Sequence, residues 1–363
     1  MTRPDVQWER QPAAEQLVRE LVDDFLSRCP EAATLARRMR DETGTRFIDW
    51  VDHVARPYND PYVGRLIAAG FRWKEFENVD PRRRHSKRFT HPAAVVPFID
   101  LIPASNELCV AIRVESVIDF AVSNGLNGPV FGEPLAPARW IEAVGRINDG
   151  VALLAAERNG INSYVPFAPT DYVKYAERLT HAERFRTRRR EWDNEEAGFD
   201  ALSALLDASI ADLGTDITTR TFFAAEREYW QRRNRAAQFQ KARQDRLGLG
   251  WANHDHHTYR SSRRHFARLI GLWEKLGFEL RERFYAGAEA GWGAQICEHP
   301  ECGIITFNDV DLSPDELVAD FAHDPLPERH ALGTVGLWRA LHGVSILQAG
   351  MHHVECQFEF DAL

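Results

Sequence analysis

V-D-H-V at residues 51–54 returns as the Asp-His core of N-H-D-H-H-T-Y-R at residues 253–260. A second pair follows in the same order, because L-I-A-A-G-F at residues 66–71 matches W-E-K-L-G-F at residues 273–278. A third pair joins G-V-A-L-L-A-A, which starts at Gly150, with G-V-S-I-L-Q-A, which starts at Gly343. Three correspondences in one order indicate an internal repeat.

Each repeat predicts the order strand–helix–strand–strand–strand. In the first, residues 47–56 predict a strand, and a helix at Tyr62–Ala69 ends at Gly70 before the next strand. After Gly250 the pattern recurs, with Ser261 or Ser262 as the helix cap. A further capped helix is predicted at the sequence Ser313-Pro314-Asp315-Glu316.

The predicted fold class is α+β, with two βαβββ modules forming an incomplete barrel and with added helices. Residues 168–249 are rich in Arg, Glu and Ala and carry aromatic residues at helical spacing. These helices would cover a sheet or contact another subunit, which allows a homodimer. The predicted domains are an N-terminal helical segment at 1–46, a first module at 47–167, a helical insertion at 168–249 and a second module at 250–363.

The composition limits the partners of the protein. A formal net charge of −9 over 363 residues gives no general attraction for nucleic acid or for an anionic membrane. No run of about 18 apolar residues predicts a membrane span. The N-terminus lacks an apolar signal core, and the five cysteines are sparse and odd in number, so we expect reduced thiols in the cytoplasm.

Strand alternation places candidate metal ligands on shared faces. On residues 253–260, one face would hold His254, His256, Thr258 and Arg260. On the last predicted strand, M-H-H-V-E-C-Q-F-E-F, His353 and Glu355 fall on the polar face. Two imidazoles and one carboxylate form the facial triad, which binds Fe(II) and leaves positions open for substrate and oxygen.

The repeated unit, its Asp-His strand and its helix ending in Leu-Gly-Phe resemble the vicinal-oxygen-chelate superfamily of glyoxalases and extradiol dioxygenases. That resemblance covers residues 47–167 and 250–360. It implies paired βαβββ modules with a divalent metal in their cleft. The implied ligands are His53, His256 and Glu355, and His353 and Glu157 are the rivals of Glu355 for the third position.

The chain also resembles, more narrowly, the 2-oxoadipate dioxygenase/decarboxylase family. Its second-module motif His-Leu-Thr-Pro-Arg keeps His, Thr and Arg at residues 256–260. Its first-module motif His-Gly-Ala-Ile-Arg keeps His and Ala at residues 53–56, where Arg56 comes one position early. Arg260 would share a face with His256 and hold an anionic substrate bidentately. Arg56, the second implied clamp, falls on the opposite face from His53.

These residues also have structural interpretations. His53 lies in an apolar strand, where a histidine is commonly a hydrogen-bonded core residue. His254 and His257 would support the ligands or lie at the surface, since a metal seldom takes adjacent side chains from opposite faces. The alternative for Arg260 is a salt bridge to the Glu-rich helices.

The resulting prediction is a metal-dependent dioxygenase/decarboxylase that uses Fe(II) on a small anionic substrate, a 2-oxo acid or a related oxygen-rich acid. With Zn, Ni or Mn, the same scaffold would polarise a carbonyl and act as a lyase or isomerase. The alternative from another class is a non-catalytic protein that binds small molecules in the same cleft. A third is a structural subunit whose helices mediate assembly.

Overall fold

The computed structural model describes residues 11–74, 86–94, 96–133, 136, 138–145, 150–159, 171–252 and 256–349. The chain mixes helices with two separate β-sheets, which confirms the predicted α+β class. It divides into two compact units. We call them the eight-stranded unit (described residues within 11–171 and 236–252) and the four-stranded unit (172–235 and 256–349).

The eight-stranded unit begins with helices α1 (Pro12–Arg28) and α2 (Pro30–Arg38), and it also contains most of α8 (Arg235–Arg246). Two further helices follow strands: α3 (Asp60–Ala68) and α4 (Val117–Ser123). Its strands are β1 (Val51–Pro57), β2 (Arg72–Lys74), β3 (Lys87–Thr90), β4 (Phe98–Ile102), β5 (Leu108–Val114), β6 (Val130–Phe131), β7 (Ala138–Gly145) and β8 (Val151–Arg158). Their order in the sheet is β2-β3-β4-β1-β5-β8-β7-β6.

This strand order contains the βαβββ connectivity twice. In the first set, β1 pairs parallel with β4, and α3 makes the crossover that a parallel return requires. In the second set, β5 pairs parallel with β8, and α4 lies in the connection. The two first strands, β1 and β5, pair antiparallel and join both sets into one sheet. Residues 47–167, which the repeat assigns to one module, therefore include two such sets.

The helices bury their apolar sides against one face of this sheet. On α1 the buried positions recur every three or four residues, as an amphipathic helix requires: Ala14, Leu17, Val18, Leu21, Val22 and Phe25. They share a core with Val54 of β1 and with Val110 and Ile112 of β5. Residues two apart in a strand lie on the same face, so this core fixes which side chains the opposite face displays.

Each βαβββ helix ends in the same hydrogen-bonded turn around a glycine. At α3, Gly70 (φ 89°) precedes Phe71, whose N–H donates to the carbonyl of Leu66 at 3.0 Å. At α4, Gly125 (φ 64°) precedes Leu126, whose N–H donates to the carbonyl of Ala121. Positive φ at the residue after the helix is the Schellman ending, which favours glycine. The Gly-Phe signal in the sequence thus marks the point where α3 turns back to the sheet, and Gly125-Leu126 has the same role at α4.

The four-stranded unit begins with three helices: α5 (Tyr172–Thr187), α6 (Glu195–Leu213) and α7 (Thr215–Gln231). Its sheet follows as β9 (His256–Arg260), β10 (Glu279–Tyr285), β11 (Trp292–His299) and β12 (Ile304–Asp311), with α9 (Phe266–Lys275) after β9. The strand order is β10-β11-β12-β9, and β9 pairs parallel with β12. This is the same βαβββ connectivity, and α9 ends at Gly277 with the same turn. A last helix, α10, covers Thr334–His342.

The core of this unit lies between its sheet and its helices. Trp273 of α9 is fully buried and donates its indole N–H to Asn308 of β12 at 2.7 Å. Among the helices, the buried carboxylate of Glu226 accepts hydrogen bonds from Arg188 and Arg190. A buried carboxylate without such partners would be strongly destabilising, so these arginines make the burial of Glu226 tolerable.

Two local expectations from the sequence are not met. G-V-A-L-L-A-A forms β8, but G-V-S-I-L-Q-A forms a turn with a single bridge between Ser345 and Ala349, and Ile346 has a positive φ of 71°. The segment from Ser313 forms a short 3-10 helix at Glu316–Val318 instead of a longer helix. Both sheets are open, because their outer strands are not paired with each other in the strand order. None of the helices in the described ranges is long and apolar enough to cross a membrane.

Gly277→Ala should destabilise the four-stranded unit by about 1–2 kcal/mol or more, because an L-residue is disfavoured at positive φ. The added Cβ would also lie 2.8 Å from Cγ2 of Thr215. The matched control is Gly271→Ala within α9, where a Cβ meets nothing within 4 Å and should stabilise the helix by about 0.5–1 kcal/mol. Urea denaturation followed by tryptophan fluorescence measures both, and equal stability of the two variants would contradict the prediction.

Candidate functional site

A β-bulge in β1 brings Asp52 and His53 together. Val51 pairs with Ile112 of β5, and His53 pairs with the next residue, Ala111, so Asp52 is an extra residue in the ladder. A bulge of this kind re-aims side chains that would otherwise alternate. As a result the two neighbouring side chains contact each other, with Asp52 Oδ2 2.8 Å from His53 Nδ1, and both are fully buried.

Asp52 is the acceptor for two arginines from neighbouring strands. Its Oδ1 accepts from Nε of Arg113 on β5 and from Nε of Arg158 on β8, each at 2.9 Å. Arg158 also donates to Oδ2. Burial alone would raise the pKa of the Asp52 carboxyl, but Arg158, the hydrogen bond to His53, and Arg113 together hold this pKa well below its usual value. Asp52 is therefore a carboxylate at neutral pH.

His53 is oriented by a second contact as well. Its ring stacks on Phe98 of β4, with centroids 5.0 Å apart and planes inclined by 4°. The guanidinium of Arg88 lies 3.8 Å from the centroid of the same Phe98 ring. Arg88 in turn forms a bidentate ion pair with Asp100 at 2.8 and 2.9 Å. The imidazole thus lies in a buried group of side chains from β1, β3, β4, β5 and β8.

The sheet around His53 is built mostly from short side chains. We call this surface the small-residue face; its buried residues are Ala55, Ile102, Cys109, Ala111, Trp140, Ala152, Leu154 and Ala156. His53 pairs directly with Ala111, and Arg113 pairs with Ala156. Charged side chains therefore lie beside alanines at the same end of the face. On this face, His53 has charged neighbours, and the alanines beside it occupy little volume.

The structure separates two of the predicted residues from His53. The guanidinium of Arg56 lies over the ring of Tyr62 in α3, 3.7 Å from its centroid, which places Arg56 on the helix-covered face. Glu157 also belongs to that face: its carboxylate accepts from the backbone N–H of Val117 at the start of α4 and pairs with Arg139. Arg56 and Glu157 therefore do not join the His53 group; Arg113 and Arg158 do.

Arg260, His256 and His257 belong to the four-stranded unit. His256 begins β9 opposite Ile305 of β12, and its side chain is outside the described part of the chain. Glu355 and its rival His353 also lie outside the described residues, as does His254. His257 is buried, with its ring 4.8 Å from that of Phe223, so it lies in the core and not at the surface.

Arg260 forms its ion pair within the sheet, not with the Glu-rich helices. Its Nε lies 3.4 Å from Oδ2 of Asp309, the residue beside it on β12, and its guanidinium lies 4.9 Å from the Trp338 ring centroid. Asp309 is only 4% exposed, and its Oδ1 has no hydrogen-bond partner among the described residues. Burial raises the pKa of Asp309 to about 7, although Arg260 opposes the shift. Asp309 is thus partly protonated near neutral pH.

Several members of the His53 group were not predicted from the sequence. Arg113 and Arg158 lie near the ends of two mostly apolar strands, L-C-V-A-I-R-V and V-A-L-L-A-A-E-R. The sequence did contain a signal for these two arginines. In each of the two strands, a charged residue shares a face with alanines, and both strands belong to βαβββ sets. The ion pair of Arg88 with Asp100 had no comparable signal, because the two lie on neighbouring antiparallel strands whose register the sequence does not reveal.

The fit of a metal ion depends on His53. Among the described residues, no group of three or more His, Cys, Asp or Glu side chains is arranged to hold a metal ion. His53 has one feature that is typical of a metal-binding histidine, because its Nδ1 lies 2.8 Å from a carboxylate oxygen of Asp52. The residues at this site therefore fit one ligand of a metal centre.

The sequence matches no protein-family model, and it matches no curated protein. The connectivity of the strands and the His53 group are thus the observations from which its function has to be inferred.

Asp52→Asn should destabilise the eight-stranded unit by about 3–5 kcal/mol, because it leaves the buried guanidinium of Arg158 and the partly buried guanidinium of Arg113 without their carboxylate. Since the folded pKa of Asp52 is depressed, its stabilisation is complete above about pH 4 and is lost as the pH falls through the folded value, so variant and wild type should converge in acid. Urea denaturation at several pH values measures this. The control is Asp24→Asn, which removes the exposed ion pair between Asp24 Oδ2 and Arg28 Nη1, 3.8 Å apart. It should change the free energy of unfolding by about 0.5 kcal/mol or less.

Asp309→Asn should stabilise the four-stranded unit at pH 8. A buried carboxyl with a raised folded pKa loses stability as the pH rises from the unfolded value, about 4, to about 7, and the loss then levels off. The upper bound is about 4 kcal/mol, since a tenfold change in proton affinity is worth about 1.4 kcal/mol. Urea denaturation at pH 5 and pH 8 should show a smaller pH effect in the variant than in the wild type. Asp324→Asn, at an exposed carboxylate, is the control; an unchanged pH effect in Asp309→Asn would contradict the assignment.

Proposed function

We propose that this protein is a metal-dependent dioxygenase and decarboxylase that uses Fe(II) and acts on a small 2-oxo acid. The observation that supports it most directly is the bulge in β1, which presents a carboxylate and an imidazole as neighbours on a buried face of the sheet. Bulges are over-represented next to active sites, and a buried ion group is weak evidence of stabilisation because burying the charges is costly.

The arginines of the group suit a carboxylate substrate. Arg88 and Arg158 are almost fully buried, at 7% and 2% exposure of their side chains, whereas Arg113 is 25% exposed. Guanidinium groups bind carboxylates with charge-assisted, directional hydrogen bonds. In this proposal Arg113 is the group that a substrate carboxylate reaches first, and the buried arginines keep the surrounding potential positive.

In this proposal His53, His256 and Glu355 would be the residues that hold the metal. Bound Fe(II) with this ligand set would supply chelation of the 2-oxo acid and activation of oxygen. The chain's own residues orient His53 through Asp52 and Phe98, hold the substrate carboxylate through Arg113, and keep bulk water away because the small-residue face is buried. We further propose that the βαβββ modules form an incomplete barrel, with His53 and His256 on first strands, and that the protein is cytoplasmic.

Two alternatives use the same residues. With Zn, Ni or Mn, the site would polarise a carbonyl and catalyse a lyase or isomerase reaction without oxygen. Without metal, the protein would bind a small anion through its arginines and perform no chemistry. Metal content and oxygen consumption distinguish all three.

We expect one equivalent of metal in protein purified without chelators, and loss of that metal in His53→Gln, in His256→Ala and in Glu355→Gln. His323→Ala is the control, because His323 pairs with Asp320 and Glu274 at the surface and should leave the metal content unchanged. Inductively coupled plasma mass spectrometry gives the metal, and circular dichroism verifies folding of each variant.

The companion measurement is oxygen consumption with a panel of 2-oxo acids, made on protein reconstituted anaerobically with Fe(II). Consumption with release of carbon dioxide supports the dioxygenase. Metal without oxygen consumption would favour the lyase or isomerase, and unchanged metal content in His53→Gln would refute the ligand assignment. Loss of metal in His353→Ala but not in Glu355→Gln would move the third ligand to His353.

A further inference from the structure

The sheet of the four-stranded unit has a second face, opposite the one that packs against the helices. Asn308 of β12 faces the helices, because it accepts the indole N–H of Trp273, so Asp309 faces the other way. On β9, the ring of Tyr259 packs 4.7 Å from that of Trp273, so Arg260 also lies on the second face. We call this surface the open face and define it by Arg260, Phe284, Trp292, Ala294, Phe307 and Asp309.

Asp309 places a buried carboxyl group on the open face. The residue is 4% exposed, and its Oδ1 has no hydrogen-bond partner among the described residues. Oδ2 lies 3.4 Å from Nε of Arg260, whose guanidinium is also held over the ring of Trp338, 4.9 Å from its centroid. A buried acceptor gains stability when a donor reaches it, so Oδ1 is the atom that a ligand on this face would satisfy.

Other buried carboxylates of this protein show what pairing such a group requires. The three that are exposed by 1% or less each have one guanidinium that donates to both oxygens. These pairs are Asp52 with Arg158, Asp100 with Arg88, and Glu226 with Arg190. In Asp309, by contrast, the arginine is near one oxygen alone. A second cation at Oδ1 would give Asp309 the complete pairing that the other three have.

Aromatic rings adjoin this carboxylate on the same face. The ring of Phe284 lies 5.4 Å from that of Trp292 and 5.7 Å from that of Phe307, and all three residues remain partly exposed. Phe307 is two residues before Asp309 on β12, and the small residue Ala294 lies between Asp309 and Phe284 in the strand register. Aromatic faces pack against flat apolar groups and attract cations.

The charge of the site selects the class of ligand. An anion at Oδ1 would lie beside a buried carboxylate and be repelled by it. A neutral donor would satisfy the hydrogen bond but leave the buried charge with one partner, whereas an ammonium group supplies both a donor and a charge. Burial raises the pKa of Asp309 to about 7, so the carboxylate is its main form at pH 8.

We propose that the open face binds a small arylalkylamine, whose ammonium group donates to Oδ1 of Asp309 and whose ring packs against Phe284 and Phe307. The inference goes beyond the proposed function, because it adds a binding site in the four-stranded unit that uses none of the residues assigned to the metal. His256 is opposite Ile305, four residues before Asp309 on β12.

The test is an NMR titration of the full chain at pH 8 with three probes of similar shape: 2-phenylethylamine, 2-phenylethanol and 3-phenylpropionate. We expect saturable binding of the amine, with the alcohol and the carboxylate bound about 10-fold more weakly or less, because they lack the charge-assisted hydrogen bond. No saturable binding of the amine, or tighter binding of the carboxylate, would overturn the inference.

Two variants test the assignment of the residues. Asp309→Asn keeps the shape of the side chain and should bind the amine about 10–100-fold more weakly, while its weak affinity for 2-phenylethanol should persist. Phe307→Leu should weaken all three probes, because it removes a ring from the face. Asp324→Asn, at an exposed carboxylate, is the control and should bind like the wild type.

The ratio of amine to alcohol affinity separates a ligand contact from a structural role. Loss of this preference in Asp309→Asn, with the alcohol still bound, supports the contact with Oδ1. An amine that bound a metal or another surface would bind Asp309→Asn as tightly as the wild type, and that result would overturn the inference. The proposed metal-dependent function does not enter this comparison, since none of the variants alters a residue assigned to the metal.

Discussion

A carboxylate that is shielded from water must be neutralised where it lies, and each unit of this protein contains one held by two arginines. In the eight-stranded unit Asp52 accepts from Arg113 and Arg158, and in the four-stranded unit Glu226 accepts from Arg188 and Arg190. The difference lies in the neighbours. Glu226 lies among helices, and its arginines bind the carbonyl of Ile346 or stack on aromatic rings, whereas Asp52 has an imidazole next to it. The same electrostatic requirement thus supports structure in one unit and a candidate site in the other.

The sheet topology explains why the Asp52 group can form. Parallel pairing of β1 with β4 and of β5 with β8 brings strands that are distant in sequence into register, and antiparallel pairing of β1 with β5 joins the two sets. The three strands that carry Asp52, Arg113 and Arg158 are consecutive neighbours in the sheet only because of this arrangement. Helices on one side leave the other side for the small-residue face, which displays the charged residues at one end.

The helices and strands of this protein follow from local sequence patterns more readily than their pairing does. The helix ends at Gly70 and Gly277 and the first strands β1 and β9 were predicted, since positive φ at glycine and apolar periodicity are local signals. The βαβββ set from Leu108 to Arg158 was not, because α4 is short and β6 has two residues, so neither gives a strong pattern. The match at Gly343 shows that similar sequences need not form the same element. The segment from Gly150 forms a strand, whereas the similar segment from Gly343 forms a turn.

The candidate site could be predicted only in part for a physical reason. Asp52 and His53 are neighbours in sequence, but a regular strand would have put them on opposite faces, and only the register with β5 reveals the bulge. The contacts of Asp52 with Arg113 and Arg158 join residues 61 and 106 positions apart. Such pairs are decided by the tertiary arrangement of strands, which no local pattern specifies.

The bulge in β1 also has a consequence for how such a fold can change over generations. In a regular strand, every second side chain lies on the same face of the sheet. A single inserted codon that creates a bulge is therefore enough to place two functional side chains in succession on that face. Removal of the codon for Asp52 would restore regular hydrogen bonding between β1 and β5. It would also leave the guanidinium groups of Arg113 and Arg158 without their counter-ion. A lineage with both arginines already present would therefore gain the pair in one genetic step, whereas loss of the pair would also require the arginines to change.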